Sequence, residues 1–371
     1  MKNIGVISYN IYGNFTNYGS ALQSWAMHQA MKEVPGYNPI LVDYCPDILK
    51  DKDPLNPFKN MWDKDEESRK MCELSLPAIR ENYYKFDQFY TNRFARTNKK
   101  YTSQNFDEVV RDEALAGFLC GSDTIFCIDE FGFDDGYYAN FDCMKNNSIS
   151  YAASFGDAVF EGNDLLTLKE RLQNFKALGL REQKMIPQVS EYTDNLVNKV
   201  IDPTLLHDSK KYDEIASKDR LVEEKYILYY SRRYSSQMEE YVEKIAKEKH
   251  YKVVEISLRA TNYQKGHKMF YEAGVEEFLS LVKHAEFVVT NSYHGMIFAI
   301  QYRRPFVIFT REQCNNKIDE VLQLLQLTNR QMIIGDKLCE LNEIDYDMVH
   351  SIIEAERLKS ISILRQELEL L

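Results

Sequence analysis

The segment Glu286–Ile300, EFVVTNSYHGMIFAI, holds the most chemistry for its length. An apolar strand run, Phe287–Thr290, stops at Asn291, the chain turns, and a helix begins near Gly295. Ser292 is a residue type that caps such a helix, and the free N–H groups of a helix start favour a phosphate or carboxylate. His294 lies in the turn beside that anion position. It reads either as a general acid or as a capping or packing histidine. The first strand-to-helix junction has the same form. Asn14, Asn17, Gly19 and Ser20 fill it, and such residues allow positive φ and close backbone approach to a ligand. GxGxxG is absent there, so the junction is a binding loop of another kind or a structural turn.

Asp123 follows a buried-strand run that closes on Gly121-Ser122. From a strand end it can act as a general base, bond a sugar hydroxyl, or cap a helix. Arg181 ends the run Ala177–Arg181 and precedes Glu182; its planar guanidinium suits a carboxylate or phosphate, or an ion pair with a neighbouring acid. Arg232 and Arg233 follow a later strand and are further anion candidates, one of them expected to face solvent. His207, His250, His267, His284 and His350 lack metal-ligand spacing, and no metal site is expected. GxSxG, HExxH and GxxxxGKS are also absent, which removes serine hydrolase, zincin and P-loop readings.

Strand ends have to carry these residues. Ile4–Tyr9, a helix through Ala21–Ala30, and Asn38–Tyr44 make a βαβ unit with a right-handed crossover. Strands follow at Leu115–Cys120, Ser148–Ser154, Ala177–Arg181 and Asn198–Asp202, with helices around 163–175 and 182–190. A second series alternates strands at Tyr226–Ser231, Tyr251–Ser257, Phe287–Thr290 and Phe306–Phe309 with helices at Gln237–Lys249, Val275–His284 and Gly295–Tyr302. The pattern predicts an α/β protein of two Rossmann-like domains, their parallel sheets facing a central cleft at the carboxyl ends of the strands. Residues 1–209 form the N-terminal domain, with a helical insertion at about 46–100, and 210–345 the C-terminal domain. The helical stretch within 346–371 is expected to pack back on the N-terminal domain.

Composition limits the partners. The 371 residues carry 46 Lys and Arg against 57 Asp and Glu, a net charge of −11 that argues against a nucleic-acid surface. An anionic small substrate needs only a local basic site. Seven cysteines without a CxxC pair fit reduced thiols in the cytoplasm. The opening MKNIGVISYNIYGNF lacks a signal-peptide apolar core, and no run reaches the roughly 20 apolar residues of a membrane span. A soluble, cytoplasmic protein is expected.

Taken in order, NYGSALQSWAMHQAM, GFLCGSD, ISYAASFG, the LREQ around Arg181, IDPTLL at 201–206 and VVTNSYHGMIFAI resemble the polysaccharide pyruvyl transferase family across nearly the whole chain. The resemblance implies a two-domain GT-B-like fold. It implies phosphoenolpyruvate as donor substrate, with no separate cofactor, and a cyclic pyruvate ketal built on two hydroxyls of one sugar. The acceptor would be a polysaccharide, or a glycolipid or lipid-linked precursor, the last requiring peripheral membrane contact. His294 falls on the family's proposed acid and Arg181 on its donor-binding arginine, with Asp123 as a base. Around the donor we place Arg232, Arg233, Asn291, Ser292, Gly295 and Lys317; around the acceptor, Asn17, Tyr18, Gly19 and Ser122. Three positions depart from the family pattern. Thr124 and Phe126 stand where GSDQ-x-W is common, and Lys317 stands at a common arginine whose bidentate contact lysine cannot make. Two other readings of the same architecture are a glycosyltransferase with a nucleotide-sugar donor and a non-catalytic glycan-binding protein.

Overall fold

The continuous apolar runs YILYY, FVVT and FVIF are buried on both faces, as strands of a covered parallel sheet must be. The computed structural model describes residues 1–9, 11–13, 15–55, 66–311, 315–335 and 341–371. One sheet comprises β1 (Lys2–Ile7), β2 (Tyr37–Leu41), β3 (Leu115–Cys120), β4 (Ser148–Ala153), β5 (Phe175–Leu180) and β6 (Leu196–Lys199). Its order is β2-β1-β3-β4-β5-β6, all parallel. The other comprises β7 (Tyr226–Tyr230), β8 (Lys252–Ile256), β9 (Lys268–Met269), β10 (Phe287–Thr290), β11 (Phe306–Phe309) and β12 (Gln331–Met332). It runs β12-β11-β10-β7-β8-β9, again parallel. The two-residue edge strands β9 and β12 are additions to the sequence reading; they are too short for any periodicity to show.

Helices connect the strands in the alternation expected: α1 (Tyr18–Lys32), α2 (Glu66–Arg93), α3 (Val109–Glu113), α4 (Ile128–Phe131), α5 (Gly162–Leu172), α6 (Met185–Tyr192), α7 (Ser209–Asp213), α8 (Ser236–Lys249), α9 (Val275–His284), α10 (Tyr293–Gln301), α11 (Asn315–Leu324) and α12 (Tyr346–Leu368). Strand order reverses between β1 and β3 in one sheet and between β10 and β7 in the other. Open α/β sheets bind ligands at such switch points. The loops and helix starts that follow these strands carry Asn17, Asp123, Arg232 and His294.

One apolar cluster joins the two halves. Tyr18 of α1 stacks on Phe278 of α9 at 4.5 Å between ring centroids, and its hydroxyl donates to the Ala273 carbonyl at 2.6 Å. Two helices also cross the boundary. At about 1.5 Å per residue, α2 is roughly 42 Å long. It sends Lys85 to Glu277 at 2.8 Å and Arg93 to Glu276 at 2.5 Å. Near the start of α12, His350 Nε2 contacts the Ile300 carbonyl at 3.0 Å. Toward its end, Asn198 Nδ2 donates to Glu367 Oε1 at 2.9 Å beside the first sheet. No described helix is long and apolar enough to cross a membrane.

Candidate active site

Ser292 caps α10 by accepting the Gly295 N–H at 3.3 Å, so the helix starts at Tyr293 and His294 belongs to its first turn rather than to the preceding loop. Gly295 lets that turn approach the sheet, for a Cβ there would meet Thr290 Oγ1 at 2.6 Å and a Tyr230 ring carbon at 2.9 Å. Asn291 is buried and holds the loop after β7: its Oδ1 accepts the Arg232 N–H at 2.8 Å and its Nδ2 donates to the Arg233 carbonyl at 2.7 Å. Asn291 and Gly295, placed at the donor by sequence, therefore shape the site from behind instead of lining it.

Of the acceptor-side expectations, Asn17 and Tyr18 line the cleft, whereas Gly19 and Ser122 do not. Asn17 caps α1, accepting from Gly19 N at 3.0 Å and Ser20 N at 3.3 Å. Tyr18 borders the cleft and also packs at the junction between the halves. The Ser122 N–H donates to Gln23 Oε1 at 3.0 Å and the residue is fully buried, which removes it from ligand contact. A Cβ on Gly19 would lie 1.9 Å from His294 Nδ1 and 2.8 Å from His294 Cβ. Glycine at 19 is thus the condition for the imidazole of one half to sit on the helix of the other. Asn14 lies outside the described residues.

Beneath His294 lies a buried cluster of charge. Asp123, at φ 70, a conformation Asp tolerates better than most residues, accepts the Ser20 Oγ hydrogen bond at 2.7 Å. Its Oδ1 stands 3.7 Å from Lys317 Nζ and 3.6 Å from Arg181 Nη2. Burial pushes the Asp123 carboxyl up, but Lys317, His294, Arg181 and the Ser20 bond together hold it well below the usual carboxylate range. A base so stabilised as an anion is weak, which opposes the role expected for Asp123 in this arrangement. Arg181 Nη1 donates to Asp202 Oδ2 at 2.6 Å, and its Cζ stands 5.2 Å from the Tyr293 ring centroid. Only 4% exposed, Arg181 does not line the cleft, so the donor contact expected of it gives way to an internal ion pair.

The same Asp202 Oδ2 lies 3.4 Å from His294 Nε2, in ion-pair range but without hydrogen-bond alignment. Burial raises the Asp202 carboxyl; His294, Arg181 and Thr204 override this and depress it. The sequence reading passed over Asp202. Its DPT context signals only a cap, which it supplies to Thr204 N at 2.9 Å, and nothing local points to His294 in the other half of the chain.

Above the cluster opens a cleft of about 800 Å³. Its basic walls, Arg232, Arg233, Arg259, Arg311 and Lys317, all come from the second half of the chain. Its acids, Glu67, Asp123, Asp129, Glu130 and Asp157, all come from the first. Arg232 and Arg233 are both exposed there, and Arg232 Nη1 donates to the Thr16 carbonyl at 3.1 Å. Of the departures from the family pattern, Thr124 lines the cleft and donates to Glu130 Oε2 at 2.6 Å. Phe126 does not. It is fully buried against Tyr138 at 4.6 Å, so it offers no platform for a sugar.

Comparison with solved structures supports the architecture. The chain is similar to a UDP complex of MnaA from S. aureus, with 15% identity, a TM-score of 0.51, and coverage of 99% of this chain and 90% of that one. A putative UDP-N-acetylglucosamine 2-epimerase from Listeria monocytogenes gives 11% identity, a TM-score of 0.52, and 97% and 91% coverage. At such identity the likeness is one of fold, the GT-B arrangement of two sheets across a cleft. No curated protein matches the chain. The sequence profile named polysaccharide pyruvyl transferase matches residues 17–313, from the N-cap of α1 through Asp123, Arg181, Asp202 and the whole α10 turn. The chain belongs to the polysaccharide pyruvyl transferase family.

Proposed function

We propose that the protein transfers the carboxyethylidene unit of phosphoenolpyruvate to two hydroxyls of a sugar in a polysaccharide or lipid-linked precursor, forming a cyclic pyruvate ketal. The observation that carries this reading is His294, set on the first turn of α10 at the floor of a cleft whose basic residues, buried Lys317 among them, all stand on one side. Phosphoenolpyruvate brings a carboxylate and a phosphate, and the helix start, Lys317, Arg232 and Arg233 meet those two charges. The opposite wall, with Glu130 and Asp129, suits a neutral, hydroxyl-rich acceptor.

Protonation of the donor's methylene carbon by His294 leaves a cationic carbon bonded to the phosphate oxygen. One sugar hydroxyl adds there, phosphate departs, and the second hydroxyl closes the ring. Of the two hydroxyl protons released, one restores the imidazolium and the other leaves with phosphate, so atoms and charge balance.

Calorimetry with phosphoenolpyruvate tests the donor. The wild-type protein is expected to bind saturably, Lys317→Ala to weaken binding by about tenfold or more, and His294→Gln to keep it within a few-fold. Binding of UDP-N-acetylglucosamine with no heat from phosphoenolpyruvate would instead favour a nucleotide-sugar donor. Heat from neither ligand would favour the non-catalytic reading.

A further inference from the structure

Asp202 is a carboxylate that no cleft ligand can reach, yet it touches the one histidine at the cleft floor. Its side chain has no solvent exposure. Oδ1 accepts the Thr204 N–H at 2.9 Å and the Thr204 hydroxyl at 2.6 Å. Oδ2 accepts Arg181 at 2.6 Å and faces His294 Nε2 at 3.4 Å. Both oxygens are thus pinned by groups that are themselves buried. Among the described residues His294 Nε2 has no hydrogen-bond partner, so Asp202 is the acceptor nearest to hand. On the other edge of the ring, Nδ1 adjoins the space that a side chain on Gly19 would fill.

We propose that Asp202, braced by Arg181 and Thr204, is a positioning residue that fixes His294 with its Nε2–H toward Asp202 and leaves Nδ1 as the proton-delivering atom. An acid that protonates carbon needs its N–H aimed within a narrow angle, and an imidazole free to flip would present either nitrogen. In the transfer step the Nδ1–H bond breaks, the π pair of the donor forms the new C–H bond, and the ring relaxes to the neutral Nε2–H form that Asp202 already accepts. A shift of about half an ångström turns the 3.4 Å separation into a hydrogen bond. Arg181 acts here through Asp202, not on the donor. The destination of the proton rests on the pyruvyl transfer proposed above; the tautomer does not.

The test reads the tautomer directly. The full chain is labelled with ¹⁵N-histidine and its seven histidines are compared with those of His294→Gln to assign His294. At about pH 9, where histidines are neutral, the wild-type His294 is expected to be the Nε2–H form. Asp202→Asn is expected to mix the two tautomers while phosphoenolpyruvate affinity stays within about threefold. Because Asp202→Asn strands Arg181 in a buried site, Thr204→Val serves as the second variant, removing one hydrogen bond to Asp202 and giving a partial mixture. A wild-type Nδ1–H tautomer, or variants with unchanged tautomer balance, would overturn the proposal. Absence of phosphoenolpyruvate binding to the wild type would instead overturn the donor assignment and leave the tautomer result standing.

Discussion

Gly19 and His294 lie 275 positions apart in the chain and meet within a single van der Waals contact. A glycine in the first turn of a helix normally gains stability when changed to alanine, by up to about 1 kcal/mol. Here the added methyl would collide with the ring and Cβ of His294. Gly19→Ala is therefore expected to destabilise by about 1–3 kcal/mol, the cost of overpacking. His294→Ala removes the ring but keeps the Cβ, so the cost should shrink there and vanish in a His294→Gly background, a non-additivity that double-mutant cycles of chemical denaturation measure. Equal costs in all backgrounds would refute the contact. His294, Ser292 and Asp123 could be picked out from sequence because each follows an apolar strand run. Asp202 could not, since its significance comes from Arg181 and His294, both remote in the chain.

At the scale of elements, α12 carries a group that ties stability to pH. Glu367 is fully buried; Oε1 accepts from Asn198, and Oε2 has no hydrogen-bond partner among the described residues. Burial pushes its carboxyl up to about 7 from an ordinary 4.5, against the opposing Asn198 bond. A carboxyl raised in the folded state holds its proton more tightly than in the unfolded chain. The stability that Glu367 contributes should then fall as pH rises from the unfolded value toward about 7, and level off beyond it. Glu367→Gln is expected to remove that fall, raising stability at pH 8 by about 1–3 kcal/mol and leaving pH 4 unchanged. Thermal melts of both proteins across this range decide the matter. A Glu367→Gln profile that runs parallel to the wild-type profile over this interval would contradict the burial account. The helix was legible as an apolar stripe, whereas its buried acid shows only once the first sheet covers it.

For the whole molecule, the two sheets share one hydrophobic cluster in which Tyr18, Leu22 and Trp25 of α1 join Phe278 and Phe298 of the second half. The helices α2 and α12 span both halves as well. Halves bound in this way cannot unfold independently without exposing their common core. Calorimetric melting is expected to give one transition, shifted upward by phosphoenolpyruvate through linkage. Two resolved transitions, with only one moved by the ligand, would show that the halves melt separately. The insertion at 46–100 looked in sequence like an ornament of the first sheet. In the structure α2 reaches the second half, because Lys85 and Arg93 find Glu277 and Glu276 on α9.

By itself the sequence determined ten of the twelve described strands, most of the longer helices between them and the family, because apolar runs of strand length and amphipathic repeats are local, and family motifs are short ordered strings. It also determined which loops hold polar residues at the strand ends. Only the tertiary structure decided which of those residues open on the cleft. Arg181, Asn291, Gly19 and Ser122 turn inward, since each meets a partner from a distant segment that satisfies it first. Lys317 joins Asp123 for the same reason: α11 carries its charge across to a carboxylate of the other sheet. Burial and pairing are sums over neighbours in space, and the order of residues along a chain does not contain that sum until the chain has folded.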